Sequence, residues 1–465
     1  MNNMKKIYTT IIISFITLYS FGQIGTPQNF MRSNPYFASD NPARFTPYNG
    51  YVGLPILSNS NVSFTNSSFN FKTISNNSEK GEMTLNVDNF LNQLKKNNYL
   101  NLNINEEILG FGFRVNKLFF AFSYGIKADA YFRFSKDLFA FPINGPSSYI
   151  GEDNKTDINL NLNINAYQEV AISVQTEITP RLSLGFRPKL LFGIMNANTR
   201  ELNASIMKNP VDNCIYADYA ADATIYAAFP LQIVDGKKIS LDFGVPHFQN
   251  LGFALDMGGV FKINEKMGVG LAVSNLGFVK WKGNGINING SLPNTNLGNV
   301  DAFFLQGFSP EDLTSLIEVP DDSDGFLDSI KNIFATNLEY VQGKATMLNA
   351  KIAAEFYYEI NPNHRFTAVV QGVVIGKDFA PALTLAYNGK LAKVFDLYAS
   401  YSMMPRSYGN LGMGVGFDLW PVYLYVATNN IIGAFTPLKS NYFSVSAGLV
   451  FKWGKATESE LSLKQ

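Results

Sequence analysis

The densest set of residues able to hold a metal lies at 320–328, PDDSDGFLD. Asp322, Asp324 and Asp328 surround Gly325 in a D-x-D-G-x-x-D pattern, and hard cations such as calcium gather carboxylate oxygens around a glycine turn. The longer EF-hand loop does not fit, since Pro320 would open it and Lys331 would close it. A solvated acidic loop without an ion is the competing reading. Only two histidines occur, His247 and His364. His247, in DFGVPHFQN, has Ser240 and Asp242 nearby, but a hydrolase needs a nucleophile, a base and an orienting group in register, and no motif joins these three. The expectation is a protein that is not an enzyme, with no cofactor unless the 322–328 carboxylates take calcium.

A second set of ionisable residues is spread out: Lys127, Asp129, Arg133, Arg187, Lys189, Asp256, Lys351, Glu355 and Glu359, joined by Lys262. Most fall on the polar side of stretches that alternate with a period of two, the signature of strands with one apolar face. KLFFAFSYGIKADAYFRF (117–134) sets Phe120, Phe122, Tyr124 and Ile126 against Ser123, Gly125, Lys127 and Asp129. LNAKIAAEFYYEI (348–360) sets Ile352, Ala354, Phe356 and Tyr358 against Lys351, Glu355 and Glu359. LSLGFRPKLLFGI (182–194) does the same around Arg187 and Lys189, with Pro188 as an interruption that suggests a bulge able to open the wall. In GNLGMGVGFDLWPVYLYVATNN (409–430) the second face is almost bare, since Gly412, Gly414 and Gly416 alternate with Met413, Val415 and Phe417.

These runs reach about 10–20 residues, longer than soluble strands and long enough to cross a bilayer when tilted. Charged residues make up 16% and aromatics 14%, too little charge to coat a water-facing surface of this size. Past the N-terminus no apolar run is long enough for a membrane helix. Lys5 and Lys6 precede an apolar stretch from Ile7 to Tyr19, and Ser20 and Gly22 suit cleavage before Gln23, which makes residues 1–22 a signal peptide. Its removal takes away two lysines and no acid, moving the formal net charge from 0 to −2. Neither value suits nucleic acid, which calls for a basic footprint. The single cysteine, Cys214, excludes an internal disulfide framework.

Export, long alternating strands and the need to pair every backbone group in lipid point to a closed barrel with apolar residues toward lipid and small or polar ones toward the lumen. Short turns near 115–117, 179–181, 264–266, 361–364, 389–391 and 420–421 alternate with longer connections, with one exception in a brief link near 378–379, as in bacterial barrels with short periplasmic turns and long outer loops. The expected fold is an all-β transmembrane antiparallel up-and-down barrel of about 14 strands, an even count. The first strand is expected at 60–72, the second at 105–115, and the strand-like stretch 213–230 in an outer insertion. Short helices are expected at 87–98 and 309–319. The organisation is then signal peptide 1–22, a plug or leader at 23–48 entering from the periplasmic side, barrel 49–453 and a polar tail 454–465.

NLGFALDMGGVFKINEKMGVGLAVSNLGFVKW (250–281) resembles a Bacteroidota outer-membrane family known only as a domain of unknown function. In that family a strand carrying G-F-A-x-D-x-G, a short turn and a strand ending L-G-F-x-x-W follow one another. NPARFTPYNGYVGLPILSN and TNNIIGAFTPLKSNYFSVSAGLVFKWG are similar to it as well. More distantly, Asn41-Pro42-Ala43 and Asn275-Leu276-Gly277 are similar to motifs of long-chain fatty-acid porins and of the type IX secretion shuttle barrel, which implies fourteen strands and an N-terminal plug. Two functions follow as expectations. One is passive, porin-like transport of a small hydrophobic molecule, gated by 23–48 with Lys127, Asp129, Arg133, Glu355 and Glu359 as its wall partners. The other is a structural or secretion-associated scaffold that binds secreted proteins through its outer loops. Either way the location is the cell outer membrane, and the partners include outer-membrane lipid and the barrel-assembly machinery, for which Trp453 supplies the aromatic near the end of the last strand.

Overall fold

The structure, a computed structural model, describes residues 25–77, 83–144, 155–209, 211–212, 214–234, 238–241, 248–283, 285–299, 337–375, 378–404 and 407–455. The signal peptide 1–22, His247, the helix expected at 309–319, the calcium candidates Asp322, Asp324 and Asp328, and tail residues 456–465 lie outside the described residues.

Alternation becomes strand along nearly the whole chain. Strand β1 comes in two pieces, Tyr48–Gly53 and Asn59–Asn66, followed by β2 (Asn97–Val115), β3 (Leu118–Ser135), β4 (Ile158–Thr179), β5 (Leu182–Lys208) and β6 (Cys214–Ala227). Next are β7 (Leu251–Lys262), β8 (Met267–Lys280), β9 (Gly285–Asn299), β10 (Asn337–Val341) and β11, again in two pieces, Ala345–Met347 and Lys351–Asn361. The series ends with β12 (His364–Ile375), β13 (Asp378–Leu391), β14 (Phe395–Met404), β15 (Ser407–Leu419), β16 (Val422–Thr428) and β17 (Tyr442–Lys455). Each barrel strand pairs antiparallel with its neighbours, β7 joins β5 directly, and β1 pairs with both β2 and β17. The circuit closes with 14 strands, so no strand edge is left open to hydrocarbon.

The outer face is apolar: Phe111, Phe113, Phe253, Leu271, Ile352, Met413, Val426 and Phe451 are all exposed. Alternate positions, among them Glu169, Lys189, Asp256, Glu355, Ser402 and Ser446, point inward and are buried. A wide apolar belt around a polar, occupied interior is the inverse of a soluble sheet protein, and it is stable when lipid is the outer solvent. The protein is an outer-membrane barrel. No helix among the described residues is long and apolar enough to cross a membrane.

Several strands outrun the bilayer. β5 spans 27 residues, and its far half, Met195–Lys208, keeps β4 on one side but pairs on the other with β6, where the near half pairs with β7. β6 carries β9, and β9 carries β10, so the 213–230 stretch belongs to a sheet standing beyond the membrane wall. Outward residues at that height need cover, and Phe134 of β3 is buried with Phe69, Phe90, Leu94 and Ala140 from connections that include α1 (Phe71–Ile74), α2 (Val87–Gln93) and α3 (Asp137–Asn144).

Three expectations change. The first strand begins at Tyr48 and ends at Asn66, because Leu54-Pro55 leaves the ladder for a turn in which Ile56 takes φ 69°, and Asn66 and Asn70 then accept backbone N–H bonds that start turn and helix at 67–74. The second strand starts at Asn97, well before 105, by pairing with the long β3. Pro188 makes no bulge. The β4–β5 ladder lacks the pairs at Arg187 and Pro188 but keeps its register from Ala171↔Lys189 to Val174↔Phe186, while the nearby irregularity lies between Leu255 and Met257 on the β7–β8 side.

Arg placed at Leu271 or Val426 should destabilise the barrel by about 2–4 kcal/mol, because both face lipid near the middle of a crossing of about 9–11 residues. Arg at inward Ser446 should act by clash alone. Urea unfolding in liposomes of different acyl-chain length checks this: only the first two variants should respond to bilayer thickness.

Candidate functional site

Residues 25–47 lie inside the barrel. Pro27 and Pro35 each open a single 3-10 turn, Pro27–Phe30 and Pro35–Ala38, with the ring at a position where the missing N–H costs nothing. Asn34 accepts the Tyr36 N–H at 3.0 Å and Asn41 accepts the Ala43 N–H at 3.0 Å, so polar side chains tie the turns. Gly25 starts beside Asn429, which donates to its carbonyl at 2.8 Å at the end of β16 remote from the short turn. The described segment therefore starts inside the lumen, not at its periplasmic mouth, descends to Arg32 near Pro362, and reaches the mouth again at Tyr48.

Close approach explains two glycines. A Cβ on Gly185 would stand 2.1 Å from the backbone of Pro42, and one on Gly258 2.0 Å from Asn41 Oδ1, so Asn41-Pro42-Ala43 rests against bare wall. The glycine face of β15 has a related cause, because the space inside Gly416 is taken by the Tyr423 ring.

Charged side chains bind segment to wall. Asp40 meets Lys351 at 3.1 Å, Arg44 is bidentate on Glu355, and Arg32 meets Glu359 at 3.2 Å. Arg187 donates to the Ser39 carbonyl at 2.9 Å and stands 3.8 Å from Asp256. Lys189 joins Asp256 at 2.7 Å, Glu169 at 3.2 Å and Asn275 Oδ1 at 2.8 Å; Lys127 reaches the same Glu169 at 2.8 Å. Asn275 holds φ 59° opposite the β7 irregularity and donates its N–H to Asp256 at 2.8 Å, which gives Asn275-Leu276-Gly277 a local role. Of the wall partners expected for the segment, Glu355 and Glu359 touch it; Lys127 bonds to Glu169, Asp129 accepts from Asn103, and Arg133 lies level with Tyr99 and Asn161, higher on the polar face of β3. Lys262 sits 4.0 Å from Glu177.

Two small polar cavities, about 120 and 110 Å³, flank the segment beside Lys127 and Asp40. A larger one of about 490 Å³ opens at the periplasmic mouth between the segment and the short turns.

The family profile described as a family of unknown function, DUF5723, matches residues 42–429. The chain belongs to DUF5723. No curated protein sequence matches it. Among solved structures it is similar to the Pseudomonas putida toluene transporter TodX, at 8% identity and TM-score 0.40, covering 93% of this chain and 98% of that one. It is similar to the Ralstonia pickettii toluene transporter TbuX, at 8% and 0.41, covering 94% and 99%. A Pseudomonas aeruginosa FadL homologue gives 9% and 0.39, covering 93% and 97%.

In this DUF5723 chain several anchors escaped the sequence reading. Asp396 accepts the Ser33 N–H at 3.2 Å and the Tyr423 hydroxyl at 2.8 Å. Lys452 bridges Asp418 at 2.8 Å, the Tyr48 hydroxyl at 2.7 Å and the Ser33 carbonyl at 3.3 Å. Both sit on the inward parity of their strands, the one signal that marked them.

Electrostatics favour the docked segment. Burial alone would raise the Asp40 carboxyl, but Lys351 and Arg44 outweigh it and hold Asp40 below its ordinary value. Burial would likewise lower Arg44, and Glu355 outweighs it, so the guanidinium stays charged. A carboxylate whose folded value is lowered contributes fully above its ordinary value, about 4, and that contribution is lost as pH falls through the lowered value. Amide exchange in residues 25–47, corrected for intrinsic rates, should therefore be the same at pH 7 and pH 5 and rise only below about pH 4. Loosening already at pH 6 would contradict the pairing.

Gly185→Val should expel the Asn41–Ala43 turn while leaving a good strand former in β5, and Arg44→Ala should cost about 3–5 kcal/mol by stranding the Glu355 charge. In both variants protease should cut within 25–47 while the barrel keeps its heat-modifiable migration. A segment as protected as in the parent would refute these contacts.

Proposed function

We propose passive passage of small apolar molecules across the outer membrane, gated by the N-terminal segment. The observation that carries this reading is the surface on which the segment rests. Phe30 and Met31 are packed against Tyr398, Tyr423, Tyr425, Val369, Ala386 and Ala427, a buried aromatic and aliphatic track on the lumen wall, with Phe30 stacked on Tyr398 at 5.7 Å. Withdrawal of two side chains would bare a path of the same character. Nearer the outer end, Tyr99 and Tyr131 close across the lumen on Val373, Ile375 and Ala380. An ion would have to shed water at both places, whereas an apolar solute would replace one apolar contact by another. A further apolar hollow of about 470 Å³, on the outer face behind Tyr398, is walled by Met413, Val415, Val426 and Phe435, and offers a lipid-side resting place for the same solute. No observation among the described residues favours the scaffold.

Proteoliposomes test this with the lipophilic fluorophore N-phenylnaphthylamine. Phe30→Ala combined with Met31→Ala should speed uptake severalfold, and deletion of 25–47 should also raise single-channel conductance. A deletion variant that folds, migrates as a closed barrel and conducts and transports no faster than the parent would overturn the reading.

A further inference from the structure

The periplasmic cavity of about 490 Å³ is lined, among the described residues, by seven basic side chains and four acidic ones. Its centre is unusual. Arg365 is 93% buried, and its guanidinium lies 3.6 Å over the Tyr357 ring and 5.5 Å from the centre of the Phe37 ring, so its neighbours are largely aromatic. Rings satisfy the faces of a guanidinium but none of its in-plane N–H donors. Glu359 Oε1 serves Arg32 at 3.2 Å and lies 3.6 Å from Arg365 Nη1, too long for a well-formed hydrogen bond. The buried Arg365 Nε has no acceptor among the described residues. One carboxylate is thus shared between two guanidiniums, one on the segment and one on the wall, with Lys393 and Lys455 at the rim.

We propose that this cavity is a binding site for a small multivalent oxyanion from the periplasm, bridging Arg365 on the barrel wall and Arg32 on the segment. Planar guanidinium edges match the oxygens of a phosphate or carboxylate group in pairs, and the surplus of basic groups favours more than one negative charge. The cavity holds such an ion with room for water but not a folded domain. Because the bridge joins segment to wall, occupancy clamps the segment in place. In the proposed gating this makes the anion a brake, but the site itself stands on the Arg365 geometry and not on what passes through the lumen.

Calorimetry on the full-length barrel in detergent, with pyrophosphate and citrate as probes, tests the site. Saturable binding of either probe is expected, and the stronger of the two tells a phosphate from a carboxylate ligand. Arg365→Gln should weaken it by about tenfold or more, as loss of a charge-assisted donor pair does. Lys266→Gln, in an exposed periplasmic turn outside the cavity, should not. Amide exchange across residues 25–47 should slow in the presence of the bound probe. Absence of saturable binding by both probes, equal affinity in the Arg365→Gln barrel, or binding that leaves exchange in 25–47 unchanged would overturn the proposal. Neither readout involves passage, so a failed uptake experiment and a failed site are told apart.

Discussion

Arg44 and Glu355 meet inside the barrel with almost no access to water. Either charge alone in that place would be ruinous, since an unpaired buried ion costs several kcal/mol even after relaxation. Closing fourteen strands satisfies the backbone in lipid but leaves an interior that water, side chains or another piece of chain must occupy. Here β11 carries Lys351, Glu355 and Glu359 inward at four-residue spacings, and the segment brings Asp40, Arg44 and Arg32 to them with opposite signs. Charge order along β11 therefore fixes the register of a segment that has almost no regular structure of its own.

The same need for pairing divides the lumen. On the β11 side the acids and bases belong to different parts of the chain, so the contacts are broken if the segment leaves. Beside β4 and β5 the network of Lys127, Glu169, Lys189, Asp256 and Arg187 is nearly complete within the wall, and among the described residues it reaches the segment through the bond from Arg187 to the Ser39 carbonyl. One side of the barrel can thus release the segment only by exposing charges, while the other barely notices its loss. Between the two the Asn41–Ala43 turn lies against bare wall, its Pro42 backbone on Gly185 and its Asn41 side chain on Gly258.

Much of this barrel was written in period-two alternation, because lipid and lumen impose opposite polarities on successive residues. Lys351, Glu355 and Glu359 could be assigned to one face for that reason, and Phe122 and Val415 to the other. Partner choice was not written there. Lys127 bonds across to Glu169 on β4, and no property of the stretch 117–134 distinguishes that from a contact with the segment. Pro188 shows the same limit: the missing N–H was visible, but whether the neighbouring strand would absorb it without a bulge depended on the β4 register. Leu54-Pro55 did break its strand, and the alternation on either side was too short to reveal that both halves belong to one crossing.

The tyrosines tie these themes together. Tyr398, Tyr423 and Tyr425 are large, fully buried and inward, yet their hydroxyls are all used: Tyr398 on Ser400 at 2.7 Å, Tyr423 on Asp396 at 2.8 Å and Tyr425 on Asn59 at 2.8 Å. Each ring thereby presents its apolar face to the lumen while its polar end is fixed in the wall, the arrangement in which an aromatic gives apolar area without an unpaired group. Glycines on the facing strands make room, as Gly416 does for Tyr423 and Gly448 for Tyr425. A lumen lined with serine and asparagine alone would close on water; one lined with anchored rings closes on Phe30 and Met31. The spacing of glycine against tyrosine on β15 to β17 is therefore what lets a polar, charge-paired interior contain an apolar track.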